Sequence, residues 1–234
     1  MKFFTKKDAL SLISDKAAKQ LPDDLLLYKE GSEIFRASWS ADGKQYRLLD
    51  TQGEPTLEIN GVRMHLSEIK PSVDMLKRAK LAHVTKESNV LDVCMGLGYS
   101  SLAAVKLRAK HVTTIEIDPN VVKLANMVNE IDKNDKITLV NDDAFFAVKS
   151  LGDEEFDAIL FDPPRFTFAG ELYSLEFYKE LYRVLKHKSS MFHYCGNPNK
   201  PTAFLKGVKQ RLTQAGFTRL TANEDAQGFY AFKS

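Results

Sequence analysis

Residues 90–101 read VLDVCMGLGYSS, an apolar run with an acid, Asp92, leading into a loop with glycines at 96 and 98. Glycines there let a backbone approach a ligand closely, and free N–H groups at the following helix start favour a carboxylate or phosphate. Cys94 stands where a D-x-G-x-G-x-G loop has its first glycine, so the stretch alone is equally an ordinary strand-to-helix turn. Glu116 ends the next strand, TTIEID, twenty positions beyond Gly96. An acid there can accept hydrogen bonds from both hydroxyls of a ribose, or it is a solvated strand-end charge. Asp143, in LVNDDAF, can take the exocyclic amine of an adenine, or with Asp142 simply cap the next helix. Together the loop and the acids outline an adenosine-shaped slot. Ser101 fills the last place of G-x-G-x-x-G, which weakens a nicotinamide dinucleotide as the occupant.

A second constellation is FDAILFDPPRF, which puts Asp162-Pro163-Pro164 at the mouth of the fourth strand. Pro164 biases Pro163 toward extended conformations, and neither proline donates an N–H. The result is a stiff, acceptor-only segment beside a carboxylate, suited to gripping an amine by its hydrogens while the lone pair faces an electrophile. Asp162 could also take a proton as a bond to nitrogen forms. The bland alternative is a rigid turn. Arg165 can hold a substrate carboxylate or phosphate, or brace the loop by pairing with Glu171, and Phe166 offers a stacking surface. Tyr173 and Ser174 are available donors, although Tyr173, Phe177, Tyr178 and Leu181 also sit at core-packing helical spacing. His193 on the same rim reads as a hydrogen-bonded structural residue, and Cys195 as an inert buried thiol. The histidines show no metal-ligand spacing, so no metal is expected.

These residues need elements to position them. Residues 5–20 carry Ala9, Leu10, Leu12, Ile13, Ala17 and Ala18 at helical spacing, with Thr5 as N-cap and Pro22 as the stop. From 25 to 66 short alternating runs are punctuated by Asp42-Gly43, Gly53 and Asn60-Gly61, and TLEI-NG-VRMHL predicts a type I′ hairpin. A small α+β domain over 1–70 follows. Pro71 opens a helix through SVDMLKRAKLAHV, after which strands NVLDV, HVTTIEI, ITLV, FDAILF and SMFHY alternate with helices near 99–109, 119–131, 142–150, 173–187 and 202–215. That rhythm predicts an α/β domain over 71–234 built on a doubly wound parallel sheet. The tail, FTRLTANEDAQGFYAFKS, reads as two further strands forming an antiparallel edge.

The bulk properties exclude several classes. A net charge of +2 gives no strong field for nucleic acid, although Lys2, Lys6, Lys7, Lys16 and Lys19 could meet phosphates. Two cysteines build neither a disulfide framework nor a zinc site. The basic N-terminus lacks the apolar centre of a signal peptide, and no apolar run is long enough to span a bilayer. A cytoplasmic protein is expected.

The ordered set VLDVCMGLGYSS, TIEIDP, NDDAF and FDPPRF resembles the class I S-adenosylmethionine-dependent methyltransferases. LDVCMGLGYSS with DPPRFTFAGELYSLEFYKELYRVLK and HYCGNP resembles, more narrowly, a family of predicted methyltransferases known mostly from archaea. The resemblance covers residues 73–234. It implies a seven-stranded Rossmann-like sheet in the order 3-2-1-4-5-7-6 and S-adenosyl-L-methionine as cofactor. Asp92, Cys94, Gly96, Gly98 and Tyr99 would line the methionine end, Glu116 the ribose and Asp143 the adenine. Asp162, Pro163, Arg165 and Tyr173 would form the catalytic rim, with Asp162 also touching the cofactor. Cys94 requires only that its position not need a positive φ. Methyl transfer to a nitrogen acceptor, a small amine or an RNA base, is the leading expectation, with no membrane or metal partner and a homodimer left open. The alternatives are aminopropyl transfer, a C5-pyrimidine RNA methyltransferase using Cys195, and a binding module without turnover. Polyamine synthases share this fold and an N-terminal β domain, but the prolines after Asp162 and the charge of Arg165 count against them.

Overall fold

The structure, a computed structural model, describes residues 2–9, 21–200 and 202–234. Near the N-terminus, β1 (Phe3–Phe4) is followed by the short helix α1 (Lys6–Ala9), and β1 pairs with β2 (Leu27–Glu30), which pairs with β3 (Glu33–Arg36). The rest of the helix expected over 5–20 lies outside the described residues. A four-stranded antiparallel sheet follows, from β4 (Ser38–Ala41), β5 (Lys44–Thr51), β6 (Glu54–Ile59) and β7 (Val62–Arg63). Asn60 and Gly61 both take positive φ, 50° and 78°, which is what the type I′ turn between β6 and β7 requires.

Helix α2 (Pro71–Leu81) starts with proline at its first position, where the missing N–H costs nothing. It leads to β8 (Asn89–Val93), α3 (Tyr99–Lys106), β9 (His111–Ile115), α4 (Pro119–Asn129) and β10 (Ile137–Val140). After these come α5 (Ala144–Ala147), β11 (Phe156–Phe161), α6 (Leu175–Val184), β12 (Leu185–Tyr194), α7 (Ala203–Ala215), β13 (Thr218–Asn223) and β14 (Gly228–Phe232). The seven strands from β8 onward form one sheet in the order β10-β9-β8-β11-β12-β14-β13. Numbered from β8, that is 3-2-1-4-5-7-6. The tail supplies the antiparallel edge, as expected.

Two helical expectations were too long. The stretch 142–150 is one turn of α-helix followed by a 3-10 turn, Val148–Ser150. The stretch 173–187 ends at Val184, because Leu185 pairs with Phe156 and is fully buried in the sheet.

Burial on both faces explains why the central strands are apolar throughout. Val90, Ala158, Leu160 and Phe192 face α2, α3 and α4, while their neighbours Leu91, Ile159 and Met191 face α6 and α7. This is the period-two alternation of a strand covered on both sides. Leu26, Tyr46, Leu48 and Leu57 of the N-terminal strands join the first of these clusters, so the small sheet shares core with the large one. No described helix is long and apolar enough to cross a membrane.

Candidate active site

The acids and glycines singled out in the sequence converge at the carboxyl ends of β8, β9, β10 and β11. Three residues of the first loop have left-handed backbone: Cys94 at φ 70°, Gly96 at 56° and Gly98 at 83°. The Cys94 value corrects the expectation that this position needs no positive φ. The turn bends there so that the N–H groups of Cys94 and Met95 both donate to the Ile115 carbonyl, each at 3.0 Å. Gly98 has a second constraint. A Cβ on it would lie 2.4 Å from the Ile131 side chain. Gly98→Ala is therefore expected to cost roughly 1–3 kcal/mol of stability, measured by urea denaturation, because strain and clash add.

Asp92 is 1% exposed, and its Oδ2 accepts hydrogen bonds from the Ser100 hydroxyl at 2.8 Å, from Ser101 and from Thr114 at 3.0 Å. Burial pushes its carboxyl up to about 6, with the three hydroxyls opposing that shift. Ser101, out of place for a dinucleotide loop, is there to bind Asp92. The aspartate thus ties the loop, the helix start and β9 together from beneath. Tyr99 is likewise turned inward, 6% exposed, its hydroxyl donating to the Pro55 carbonyl at 2.8 Å.

Glu116 reaches the loop across the twenty-residue interval. Its Oε2 accepts from the Gly96 N–H at 2.9 Å and its Oε1 from the Asp118 N–H at 3.0 Å. Burial raises its carboxyl above the ordinary value. Asp143 caps α5 through the Phe145 N–H at 2.8 Å, which uses Oδ1 and leaves Oδ2 for a ligand. Ile117 and Phe146, the apolar residues just past these two acids, are 61% and 62% exposed. Large exposed apolar side chains at adjacent strand tips can flank an adenine ring. Their exposure marks them; their residue types alone did not.

The N-terminal sheet braces this cradle. Lys44 and Tyr46 of β5 reach Asp118 Oδ2 at 2.9 and 2.7 Å, while Asp118 Oδ1 caps α4 through Asn120 N–H. Burial alone would raise Asp118, but Lys44 and Tyr46 outweigh it and hold the carboxyl below its usual value. The charge they fix stands two residues from Glu116 and donates its own N–H to it.

The second constellation carries a partner that the sequence did not flag. Asp162 accepts from Arg78 Nη1 at 2.7 Å, and the same guanidinium reaches Asp74 from Nη2 at 2.6 Å. Arg78 and Asp74 are 4% and 1% exposed, on successive turns of α2, and the guanidinium carbon lies 4.4 Å from the Tyr194 ring centroid. Asp162 itself keeps 28% of its side chain exposed. Burial raises its carboxyl and Asp74 adds to that, while the Arg78 charge opposes both. A D-x-x-x-R pair on a helix was the available signal, but such pairs are ordinary on solvated helix faces.

Pro163 is buried and Pro164 exposed. The carbonyl of Pro164 is not free, contrary to expectation: the Tyr173 hydroxyl donates to it at 2.8 Å. Tyr173 is 3% exposed and braces the proline loop from below rather than offering a donor at the rim. Ser174 is also committed, as N-cap of α6 through the Phe177 N–H. Arg165 and Glu171 are both exposed and form no ion pair with each other. Phe166 is 49% exposed and touches Tyr173 and Phe204 edge-on or tilted, leaving ring surface open. His193 is fully buried, hydrogen-bonded to Tyr178 at 3.0 Å and stacked on Phe161, and burial pushes it down to about 3. Cys195 is pushed up to about 12 by burial, which leaves no thiolate for a C5-pyrimidine mechanism.

The Cys94 thiol in this loop is raised well above its usual value, chiefly by burial and further by the charge of nearby Glu116.

Comparison with known proteins accords with this arrangement. The family model described as spermine/spermidine synthase domain matches residues 74–222. An uncharacterized protein of Methanocaldococcus jannaschii, MJ1233, is 42% identical over 236 residues, covering 98% of this chain and 80% of its own. A putative protein N5-glutamine methyltransferase of the same organism is 32% identical over 110 residues, 46% of this chain and 53% of that protein. The polyamine aminopropyltransferase of Oceanobacillus iheyensis is 28% identical over 191 residues, 77% of this chain, which spans only 35% of that enzyme. Among solved structures, spermidine synthase from Thermotoga maritima superposes with a TM-score of 0.63 at 18% identity, over 84% of this chain and 71% of that one. At that identity the likeness establishes the fold.

Proposed function

The chain belongs to the spermine/spermidine synthase domain family, and from that premise we propose that it transfers an aminopropyl group from decarboxylated S-adenosylmethionine to a primary amine. This reverses the order of preference drawn from the sequence, where methyl transfer led. The observation that carries it is the match of the spermine/spermidine synthase domain model over residues 74–222, joined by the alignment of 77% of the chain with a polyamine aminopropyltransferase.

The donor supplies an electrophilic carbon on its sulfonium. Glu116 would accept from the ribose hydroxyls and Asp143 Oδ2 from the adenine amine, with Ile117 and Phe146 flanking the ring. Asp162 holds Arg78 with Oδ2. Its Oδ1 is left to accept an N–H of the incoming amine and to take that proton as nitrogen loses its lone pair. Aiming one fixed carboxylate oxygen at the amine supplies most of the rate by orientation. A methyl-transfer reading keeps two observations in its favour, the proline-stiffened loop directly after Asp162 and the 32% identity over 110 residues to a putative protein N5-glutamine methyltransferase.

Product analysis separates the two. Incubation with a diamine is expected to release 5′-methylthioadenosine from the decarboxylated donor, which should bind at least about tenfold tighter than S-adenosylmethionine by calorimetry. Release of S-adenosylhomocysteine from S-adenosylmethionine, with the affinities reversed, would restore the methyltransferase assignment.

A further inference from the structure

At the opposite end of the sheet, where β8, β11 and β12 begin, lies a cavity of about 640 Å³ that the transfer reaction does not use. It is separated from the Cys94 loop by the length of β8, on the order of 15 Å for five residues. Ligands of open α/β sheets normally sit at the carboxyl ends. We infer that this cavity is a second binding site, for a small phosphorylated ligand with a planar ring, of nucleoside-diphosphate size.

Two independent irregularities of the sheet point into it. Between Phe156 and Ala158 of β11, the register against β12 shifts from Leu185 to Ser190, and Lys188 stands in the extra segment with φ 59°. Between Thr218 and Thr221 the register of β13 against β14 also shifts, and Arg219 stands there with φ 49°. Bulges re-aim side chains out of the regular alternation, and they recur next to functional sites. Here both deliver a cation to the wall of one cavity. His83 and Glu87, on the loop after α2, line the same wall with φ of 56° and 71°. Left-handed backbone at a residue other than glycine is unfavourable, and four such residues around one cavity are a cost that a regular sheet end would avoid.

The chemistry of the lining selects the ligand. Lys86, Lys188 and Arg219 carry positive charge into the cavity. Of the two acids present, Asp157 is already held by Lys186 at 2.8 Å and by the Asn89 N–H. Glu87 is left facing three cations, so the wall favours a multiply charged anion. His83 and Tyr230 form a tilted aromatic pair, centroids 5.0 Å apart, beside Ser190, whose hydroxyl is fixed by the Ala82 carbonyl. That pair gives a planar ring a surface to lie on. The volume falls within the range of small-ligand pockets.

Uridine 5′-diphosphate is a suitable probe, since it lacks the adenine for which the other site is shaped. Calorimetry at low salt, with 5′-methylthioadenosine present in excess, is expected to show one UDP site of millimolar or better affinity. Lys188→Glu and Arg219→Glu should each weaken it by about tenfold or more. Lys188→Gly combined with Arg219→Gly should abolish it while raising the melting temperature, because glycine relieves the backbone. No UDP heat, displacement of UDP by 5′-methylthioadenosine, or unchanged affinity in the charge-reversed proteins would overturn the site. Tighter binding of a short single-stranded RNA than of UDP, lost in the same variants, would overturn the small-ligand assignment.

Discussion

Asp162→Asn is expected to lower turnover by roughly 10²–10⁴-fold, the usual worth of a positioned acid–base group. Affinity for the donor, measured by calorimetry with 5′-methylthioadenosine, should stay within about twofold. The separation follows from geometry. The proposed donor cradle of Gly96, Glu116 and Asp143 makes no hydrogen bond to Asp162, whereas in the proposed reaction the amine meets the Asp162 oxygen that Arg78 leaves open. Asparagine keeps the shape and an acceptor oxygen but cannot take a proton. It also presents an NH₂ group that, turned toward Arg78, opposes one set of donors with another. Full activity in Asp162→Asn would remove Asp162 from the chemistry. Loss of donor binding would instead move it into the cradle.

Arg78→Met should destabilise the protein by about 3–5 kcal/mol, because it strands Asp74 and Asp162 around a methionine instead of a shared cation. The loss should depend on pH in a definite direction. Without the guanidinium the Asp162 carboxyl, already raised by burial, loses the charge that opposes that rise, so the folded state carries a penalty whenever it is ionised. That penalty is largest at neutral and alkaline pH and shrinks as acid protonates Asp162. Denaturation midpoints of wild type and variant should therefore converge on lowering the pH. A gap independent of pH would mean that Arg78 contributes packing over Tyr194 rather than charge. Asp74→Asn in the same background should recover part of the stability, which a packing role would not predict.

The alternation of strands and helices was legible because it rests on local chemistry, whereas the strand order followed from the resemblance to the methyltransferases. Apolar five-residue runs between helix-length segments leave few topologies open, and the spacing of Gly96 from Glu116 matches one helix and one strand. The hairpin at Asn60-Gly61 was legible for the same reason: two residues tolerant of positive φ stand side by side. What was not legible is what the tertiary fold decides. Asp74 and Arg78 look like any helical ion pair until α2 is laid across the end of β11. Tyr173 looks like a free donor until the Pro164 carbonyl takes its hydrogen, and Ser174 looks like a rim donor until it serves as the acceptor that caps α6. Cys94 was misjudged because φ at a loop residue follows from where the loop must land, here on the Ile115 carbonyl, and not from its own type. The preference between methyl and aminopropyl transfer turned on the likeness of the whole stretch 74–222 to the spermine/spermidine synthase domain, which no single motif displays.

The contact of Lys44 and Tyr46 with Asp118 makes the hairpins thermodynamic partners of the reaction centre. Asp118 bridges β5 and Glu116, so by reciprocity a loosened β5 should weaken the ribose contact proposed for Glu116. The small sheet cannot fray quietly while the large one works. Its opening and the release of the proposed adenosyl ligand should draw on the same free energy, so hydrogen exchange deep in β5 becomes a gauge of occupancy at strand tips to which β5 itself does not belong.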